Sequence, residues 1–151
     1  MREQYAYIST YVDKAGTIYA IPCGWDRITQ SAVNTSDIDL LFILKPPYSD
    51  DDIEAFLLNA LENCYKKEKE PGPGPLEKHF GVSSWLRAVK GLRYVYFSWN
   101  KMKGYQFIAS IKMPQKGYVS LKEEQRIHVE NNPEKGELAR AFYKALSESK
   151  C

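Results

Sequence analysis

The sequence predicts an α+β fold, in which two similar amphipathic helices pack on a largely antiparallel, twisted sheet. Three observations predict this fold. Two segments, about residues 50–68 and 134–149, carry apolar residues at helical spacing. Several short segments alternate between two kinds of side chain with a period of two and are separated by turn residues, as antiparallel strands are. The length of 151 residues suits one domain, so we expect residues 1–151 to fold as a single unit.

The strands are predicted to form two hairpins and a few shorter pieces. Residues 5–20 read as the first hairpin, because tyrosine and serine alternate with smaller or aliphatic residues before turn residues at 13–16. Residues 39–44, DLLFIL, form a short apolar run whose length predicts a buried strand. Residues 92–113 read as the second hairpin, and two short strands follow it. In the first strand of this hairpin, one face is predicted to carry Leu92, Tyr94, Tyr96 and Ser98, and the other Arg93, Val95, Phe97 and Trp99.

Both helices share one apolar pattern. Ser49 or Asp50 can cap the first helix, and the acidic residues that follow favour its N-terminus. Apolar residues fall at offsets 0, 3, 4, 7 and 8 in each helix, and Ser149 takes the position that Cys64 holds 85 residues earlier. A short apolar strand and a proline-containing break precede each helix. These matches predict a strand–helix pseudo-repeat packed on a common sheet.

The segment PGPGP, residues 71–75, separates the two halves of the sequence. Its three prolines lack a backbone donor and its two glycines are conformationally free, which excludes helix and central strand there. We expect a loop inside one domain, since about 70 residues on each side would make two marginal domains.

Cysteine usage and hydropathy predict a cytoplasmic location. The three cysteines cannot pair evenly, and no CxxC motif is present, which favours a reducing compartment. No apolar run approaches the roughly 18 residues of a membrane span, and the first ten residues lack the apolar core of a signal peptide.

The sequence contains no recognisable catalytic or metal-binding motif. The GxSxG, Walker, HExxH and GxGxxG patterns are absent, and no residues have metal-ligand spacing. Cys23 and His79 could form a nucleophile–base pair only if the fold brought them together, and their surroundings in the sequence do not support it. We therefore predict a protein that is not an enzyme and needs no metal or cofactor.

Charge is unevenly distributed, although the net charge is only +2. Residues 36–70 contain nine acids and four bases, whereas residues 85–118 contain seven bases and no acid. The acids at the first helix start are favoured there by the helix dipole alone. The basic segment is interleaved with aromatics, so it is either a hairpin whose aromatics face the core or a single-stranded nucleic-acid-binding surface. The second alternative would use Arg93, Lys101, Lys103 and Lys112.

The order of four segments resembles a known family. The segments are ILKPPYSDDDIEAFLLNALENC, SSWLRAVKGLRYVYF, a tyrosine-rich hairpin with MPQKGYVSL, and RIHVENNPEKGELARAFYKALSES. This succession is similar to the CdiI-type immunity proteins of bacterial contact-dependent growth inhibition systems, especially the group once described only as a domain of unknown function. The resemblance runs from about residue 18 to residue 149 and does not include the N-terminal strands or the insert at residues 71–75.

The resemblance implies a cytosolic protein that binds, one to one, the C-terminal toxin domain of a CdiA-type protein. Such toxins are commonly nucleases, often tRNases, and the immunity protein covers the active site or the substrate surface. Because a nuclease presents a basic surface to RNA, acidic residues here are the expected contacts. The predicted toxin-binding residues are Asp50, Asp51, Asp52, Glu54, Glu68 and Glu70, with Trp25 and Asp26 as a second choice.

Overall fold

The computed structural model of the protein describes residues 5–25, 35–122 and 125–151. In these ranges the chain forms eight strands and four helices. The strands are β1 (Tyr5–Val12), β2 (Ile18–Trp25), β3 (Thr35–Asp37), β4 (Phe42–Leu44), β5 (Arg93–Asn100), β6 (Gly104–Met113), β7 (Gly117–Ser120) and β8 (Ile127–Val129). The helices are α1 (Asp50–Glu62), α2 (Pro75–Phe80), α3 (Trp85–Ala88) and α4 (Glu137–Glu148).

The strands form one antiparallel sheet with the order β3-β2-β1-β5-β6-β7. Both predicted hairpins, β1–β2 and β5–β6, are confirmed, and β1 pairs with β5 at the centre of the sheet. The short strands β4 and β8 pair with β2 and β6 respectively. The long helices α1 and α4 pack on the same face of the sheet. The predicted α+β fold is therefore confirmed.

The main core lies between the sheet and these two helices. Alternate strand positions such as Ile8 and Phe97 contribute one side of it, and the apolar stripes of the helices contribute the other, including Leu57 and Phe142. All four side chains are fully buried. A smaller cluster lies on the opposite face of the sheet, where Leu76 of α2 and residues of α3 pack.

The predicted pseudo-repeat is confirmed, and it covers more than a strand and a helix. The first half contains β1, β2, β3, β4 and α1, and the second half repeats this order as β5, β6, β7, β8 and α4. The sheet order is the same from either end, because each half contributes its first strand to the centre and its third to an edge. Only α2 and α3, which lie between the halves, have no counterpart among the described residues.

Equivalent hydrogen bonds identify matching residues in the two halves. Directly after α1, Cys64 Sγ donates to the carbonyl of Tyr7 over 3.2 Å. Directly after α4, Ser149 Oγ donates to the carbonyl of Tyr94 over 3.0 Å. A small polar side chain therefore ties the end of each helix to the first strand of its own half.

The symmetry axis of the repeat passes through the centre of the sheet. Tyr94 follows its counterpart Tyr7 by 87 residues, and Tyr96 follows Ser9 by the same number. Ser9 and Tyr96 also lie directly opposite each other in the β1–β5 pair. A pseudo-two-fold axis therefore passes between Ser9 and Tyr96.

The repeat predicts the outcome of a substitution at Cys64. We expect Cys64→Ser to change the free energy of unfolding by less than about 1 kcal/mol, because a serine makes the same contact at position 149. Cys64→Val should lower it by about 1–3 kcal/mol, since the carbonyl of Tyr7 then loses its buried donor. Urea unfolding of the two variants measures the difference. Equal losses for serine and valine would show that the hydrogen bond contributes nothing.

Two predicted helix boundaries are wrong, and the reason is tertiary contact. The first helix ends at Glu62 rather than near residue 68. Tyr65 has a φ of 65°, and its N–H donates to the carbonyl of Cys23, so the chain leaves the helix to join β2. The last helix begins at Glu137 rather than at residue 134, because Gly136 before it has a φ of 87°.

Two further predictions need correction. The buried strand predicted over residues 39–44 is limited to Phe42–Leu44, which pairs with β2 alone and leaves Ile43 37% exposed. The prediction that residues 71–75 contain no helix holds for residues 71–74 and fails at residue 75. Pro75 is the first residue of α2, a position where the missing N–H is not needed.

The segment that joins the two halves crosses the face of the sheet opposite α1 and α4. After α1 the chain runs along the C-terminal end of β2, where the N–H of Lys69 donates to the carbonyl of Trp25. It then continues through residues 70–74 and forms α2 and α3, which pack against Tyr11, Tyr19 and other residues of that face. The linker therefore forms a partial second layer over the sheet.

Candidate functional site

An open cleft lies between this linker and the sheet, next to the pseudo-two-fold axis. Its floor is formed by Tyr7, Ser9, Asp37, Tyr94 and Tyr96, from strands β1, β3 and β5. Its wall is formed by the linker at residues 69–77 and by Trp85. We call this feature the tyrosine cleft. Its volume of about 620 Å³ lies within the usual range for ligand-binding sites.

Strand alternation places Tyr94 and Tyr96 on one face of β5 and Phe97 on the other. Phe97 and Phe107 point to the helices and are fully buried, whereas Tyr94 and Tyr96 point to the cleft. The two predicted faces of residues 92–99 are confirmed. The expectation that the aromatics of this hairpin face the main core holds for Phe97, Phe107 and Tyr105 and is wrong for Tyr94 and Tyr96. A phenol suits a half-open face because its ring packs while its hydroxyl reaches polar partners.

The tyrosine rings pack on one another across the axis. Tyr7 and Tyr96 are stacked, with centroids 5.0 Å apart, and the hydroxyls of Tyr5 and Tyr96 are hydrogen-bonded. Burial raises the pKa of Tyr7, Tyr94 and Tyr96 well above the usual range. These hydroxyls therefore stay protonated at neutral pH and remain hydrogen-bond donors.

Asp37 is the carboxylic acid among the described residues on the floor of the cleft. Its Oδ1 accepts a hydrogen bond of 2.9 Å from Ser9 Oγ, which lies 3.3 Å from the hydroxyl of Tyr94. Burial raises the pKa of the Asp37 carboxyl to about 6, and the Ser9 hydrogen bond and the charge of Lys69 offset this only in part. Among the described residues, no lysine or arginine makes a salt bridge to Asp37.

The other acids of the cleft lie on its rim. Asp39 is paired with Lys78, whose Nζ lies 2.7 Å from Oδ2, and this contact lowers the pKa of the Asp39 carboxyl. Glu77 accepts a hydrogen bond from the N–H of Gly74. Glu70 is exposed on the same rim. The described lining thus contains four acids and one base, Lys69, which makes the cleft acidic when all are ionised.

The other half of the protein has a groove at the equivalent place. Asp37 lies opposite Cys23 in the β2–β3 pair, and Ser120 lies opposite Ser110, the counterpart of Cys23, in the β6–β7 pair. Ser120 is therefore the counterpart of Asp37. The groove has a volume of about 490 Å³, and its lining includes Tyr5, Tyr96, Lys103, Ser120 and Arg126. One half-site is acidic and the other is basic.

The acids predicted at the start of α1 lie on the opposite face of the sheet from the tyrosine cleft. Asp52 forms a capping box with Ser49, which confirms the predicted cap. Asp51 lies 3.4 Å from Lys135, and both side chains are exposed. Glu54 accepts hydrogen bonds from the N–H groups of residues 136 and 139 at the start of α4. These carboxylates organise the N-termini of the two helices, and Asp50 is exposed beside them.

We expect Glu54→Ala to lower the free energy of unfolding by about 2 kcal/mol. The start of α4 has no side-chain cap of its own, so removing this carboxylate leaves two backbone donors without their partner. Glu54→Gln retains one acceptor and should cost about half as much. Urea unfolding measures both losses, and hydrogen exchange at residues 137–140 locates them. Full protection of α4 in the alanine variant would contradict the capping role.

The remaining predicted acidic and aromatic contacts are scattered. Of the predicted toxin-binding residues, Glu70 lines the tyrosine cleft. Glu68 is exposed and does not line it. Trp25 is half-buried, with its ring 4.9 Å from that of Tyr65. Asp26 lies outside the described residues. The structure therefore does not gather the predicted set at one place.

The four predicted bases do not form one surface either. Arg93 points to the helix face, where its Nη1 donates to the carbonyl of Leu146 at the end of α4. Lys101 is exposed in the β5–β6 turn, and Lys112 is half-buried on β6. Lys103 lines the basic groove beside two tyrosines.

The candidate nucleophile and base identified in the sequence are not adjacent. Cys23 is buried on the helix face of the sheet, whereas the ring of His79 packs against Tyr19 on the opposite face. Within the described ranges, no group of three histidine, cysteine or acidic side chains could hold a metal ion. In those same ranges no helix is both long enough and apolar enough to cross a membrane.

Comparison with known proteins adds a structural neighbour. No family model matches the sequence, and no curated protein matches it. Among solved structures, a protein of unknown function from Neisseria meningitidis is similar, with a TM-score of 0.70 over 98% of this chain and 97% of that chain. The sequence identity is 11%, so the likeness shows a shared fold.

Sequence reasoning missed Asp37 and the tyrosine cleft. The pattern that could have found them is the repeat of tyrosine at every second position of β1 and β5, as at Tyr5, Tyr7, Tyr94 and Tyr96. Asp37 had no such signal, because β3 has only three residues and the linker that covers it begins some 30 residues later.

Proposed function

We propose that the protein is a cytoplasmic immunity protein that binds one toxin domain of a contact-dependent growth inhibition system and blocks its activity. The sequence resemblance supplies the partner, a C-terminal domain of a CdiA-type protein with nuclease activity. The tyrosine cleft supplies the observation that carries the proposal. It is an open, aromatic and acidic site, which suits the binding of a partner.

Three properties of the cleft support a protein partner. Tyrosine, tryptophan and arginine dominate the energetics of protein interfaces, and the cleft offers several tyrosines and Trp85. Its acidic lining is complementary to a basic, RNA-binding surface. On the linker, Phe80, Trp85 and Leu86 are each 38% exposed, and Trp85 lines the cleft, so the linker offers further apolar surface to a partner.

Growth rescue tests the function directly. The reading frame immediately upstream of this gene should encode the toxin, and its C-terminal ~250 residues, about two domains, should stop growth when expressed alone. Co-expression of this protein should restore growth, and the two chains should co-purify one to one. A harmless fragment, or a toxic one that this protein neither rescues nor binds, would overturn the proposal.

Variants of the tyrosine cleft and of the start of α1 show which of the two surfaces binds the toxin. Tyr7→Ala with Tyr96→Ala should weaken toxin binding by at least about tenfold, as truncation of central aromatic residues does. Asp51→Lys lies on the opposite face of the sheet and serves as the matched control. If the lysine variant loses binding and the tyrosine variant keeps it, the start of α1 is the interface and the cleft is not.

Single-stranded nucleic-acid binding is the second candidate function, and the basic groove favours it. Lys103 and Arg126 line this groove together with the rings of Tyr5 and Tyr96. This function predicts affinity for single-stranded RNA that falls steeply with salt, and a smaller salt slope for Lys103→Gln. No binding of a 12-nucleotide RNA at low salt would remove this candidate.

A further inference from the structure

The tyrosine cleft contains a carboxylate whose charge is not balanced by any salt bridge within the described residues. Asp37 accepts a hydrogen bond from Ser9, but no base among the described residues pairs with it. Lys69 is exposed on the rim, and Asp39 nearby already has its own partner in Lys78. A half-buried carboxylate without a counter-charge is unfavourable for the folded protein, and a ligand that supplies a cation would offset this cost.

The residues around Asp37 indicate which kind of cationic group a ligand would need. The floor beside it consists of the rings of Tyr7 and Tyr96, which stack on each other, and the ring of Tyr94. A guanidinium group is planar, stacks on aromatic rings and can donate two hydrogen bonds to one carboxylate. A metal ion would instead need several oxygen ligands, and the described part of the chain gathers no such group.

The second half of the protein provides an internal comparison. The position equivalent to Asp37 is Ser120, and the groove there carries Lys103 and Arg126. The two half-sites share their strand framework, but only the first has a carboxylate at this place. The carboxylate is therefore not a requirement of the repeated fold, since the second half forms the same strand pair with a hydroxyl.

We propose that the tyrosine cleft binds an arginine side chain of the partner protein, with its guanidinium on the Tyr7 and Tyr96 rings and its donors on the Asp37 carboxylate. The cleft, at about 620 Å³, has room for this side chain and the backbone on either side of it. The inference rests on the proposed function for the identity of the partner. The cation site itself can be tested without that partner.

The test is an NMR titration of the full, ¹⁵N-labelled chain with N-acetyl-arginine methylamide. Saturable shifts should be confined to residues around Asp37 and Tyr96, with a dissociation constant on the order of millimolar. The citrulline analogue, which has the same shape but no charge, should bind at least about tenfold more weakly. The lysine analogue should also bind more weakly, because an ammonium group cannot pair in a bidentate manner.

Two variants and one control complete the test. Asp37→Asn should abolish saturable binding of the arginine probe, and Asp37→Ser, which copies the residue of the other half, should do the same. Asp51→Asn removes an exposed acid on the opposite face of the sheet and should keep affinity within about twofold. The NMR spectrum of each variant shows whether it is folded.

The outcomes separate this inference from the proposed function. No saturable shift, an equal response to citrulline, or undiminished binding by both Asp37 variants would overturn the arginine site. Growth rescue could still succeed in that case. Conversely, loss of rescue with the probe still bound by the wild-type chain would remove the toxin as partner and leave the guanidinium site in place.

Discussion

Replacing Phe97 by alanine is expected to lower the free energy of unfolding by about 3–5 kcal/mol. The ring is fully buried, is stacked on Phe107 with centroids 4.4 Å apart, and also stacks on Tyr105. Phe97 lies opposite Ile8 in the central β1–β5 pair, so the cavity would open where the two halves of the protein join. Neighbours on both sides belong to the rigid sheet, and the site is therefore poorly able to collapse.

Urea unfolding measures this loss, and two variants control it. Phe97→Leu keeps most of the apolar volume and should cost about 1–2 kcal/mol. Met102→Ala removes a side chain that is 87% exposed in the β5–β6 turn and should stay within about 0.5 kcal/mol of the wild type. A loss below about 1.5 kcal/mol for Phe97→Ala would contradict a tightly packed joint between the halves.

Asp37 is expected to make the protein less stable as the pH rises from about 4 to about 6. Burial raises the pKa of its carboxyl in the folded protein to about 6, above the unfolded value of 3.8. In this window the folded state binds more protons than the unfolded state, so raising the pH favours unfolding. At about 1.4 kcal/mol per pKa unit, the ionisation of Asp37 lowers the free energy of unfolding by up to about 3 kcal/mol above pH 6.

Asp37→Asn should remove this pH-dependent contribution. The amide oxygen can still accept the Ser9 hydrogen bond, so the variant should match the wild type near pH 3.5 and exceed its free energy of unfolding at pH 7. The difference between the two unfolding free energies, measured at each pH, isolates Asp37 from the other acids. Asp39→Asn should behave oppositely, because the Lys78 contact lowers the pKa of Asp39 and its stabilisation is lost in acid. A constant difference between wild type and Asp37→Asn from pH 3.5 to 7 would exclude the raised pKa.

The features set by local periodicity could be predicted from the sequence. Both hairpins, the faces of residues 92–99 and the two long helices follow from side-chain spacing, because spacing of 2 or 3.6 residues expresses which face is buried. The N-cap of α1 is Ser49, one of the two residues predicted for that position on the same local grounds. The C-terminal end of α1 was not predictable. It depends on the hydrogen bond from the N–H of Tyr65 to the carbonyl of Cys23, a residue distant in the sequence.

The candidate site depends on contacts that no local pattern contains. Asp37 comes from a three-residue strand, and the wall of the cleft comes from a linker whose prolines predicted only irregular structure. The acids of α1 illustrate the opposite error. They are concentrated in the sequence and suggested a binding surface, but Glu54 and Asp52 bond to backbone groups of the two helix starts. Local charge density does not show which carboxylates already have partners within the fold.

The pseudo-two-fold axis also bears on the direction in which a partner can lie. Two identical half-sites about such an axis would accept an elongated ligand equally well in either orientation, as the interface of a symmetric dimer would. Joining both halves in one chain allows Asp37 and Ser120 to differ, with Lys103 and Arg126 on one side only. A partner segment that carries a cation at one end and an anion at the other would then dock in a single polarity. The difference between Asp37 and Ser120 thus allows a surface built on a two-fold axis to bind a partner segment in one orientation and not in the reverse one.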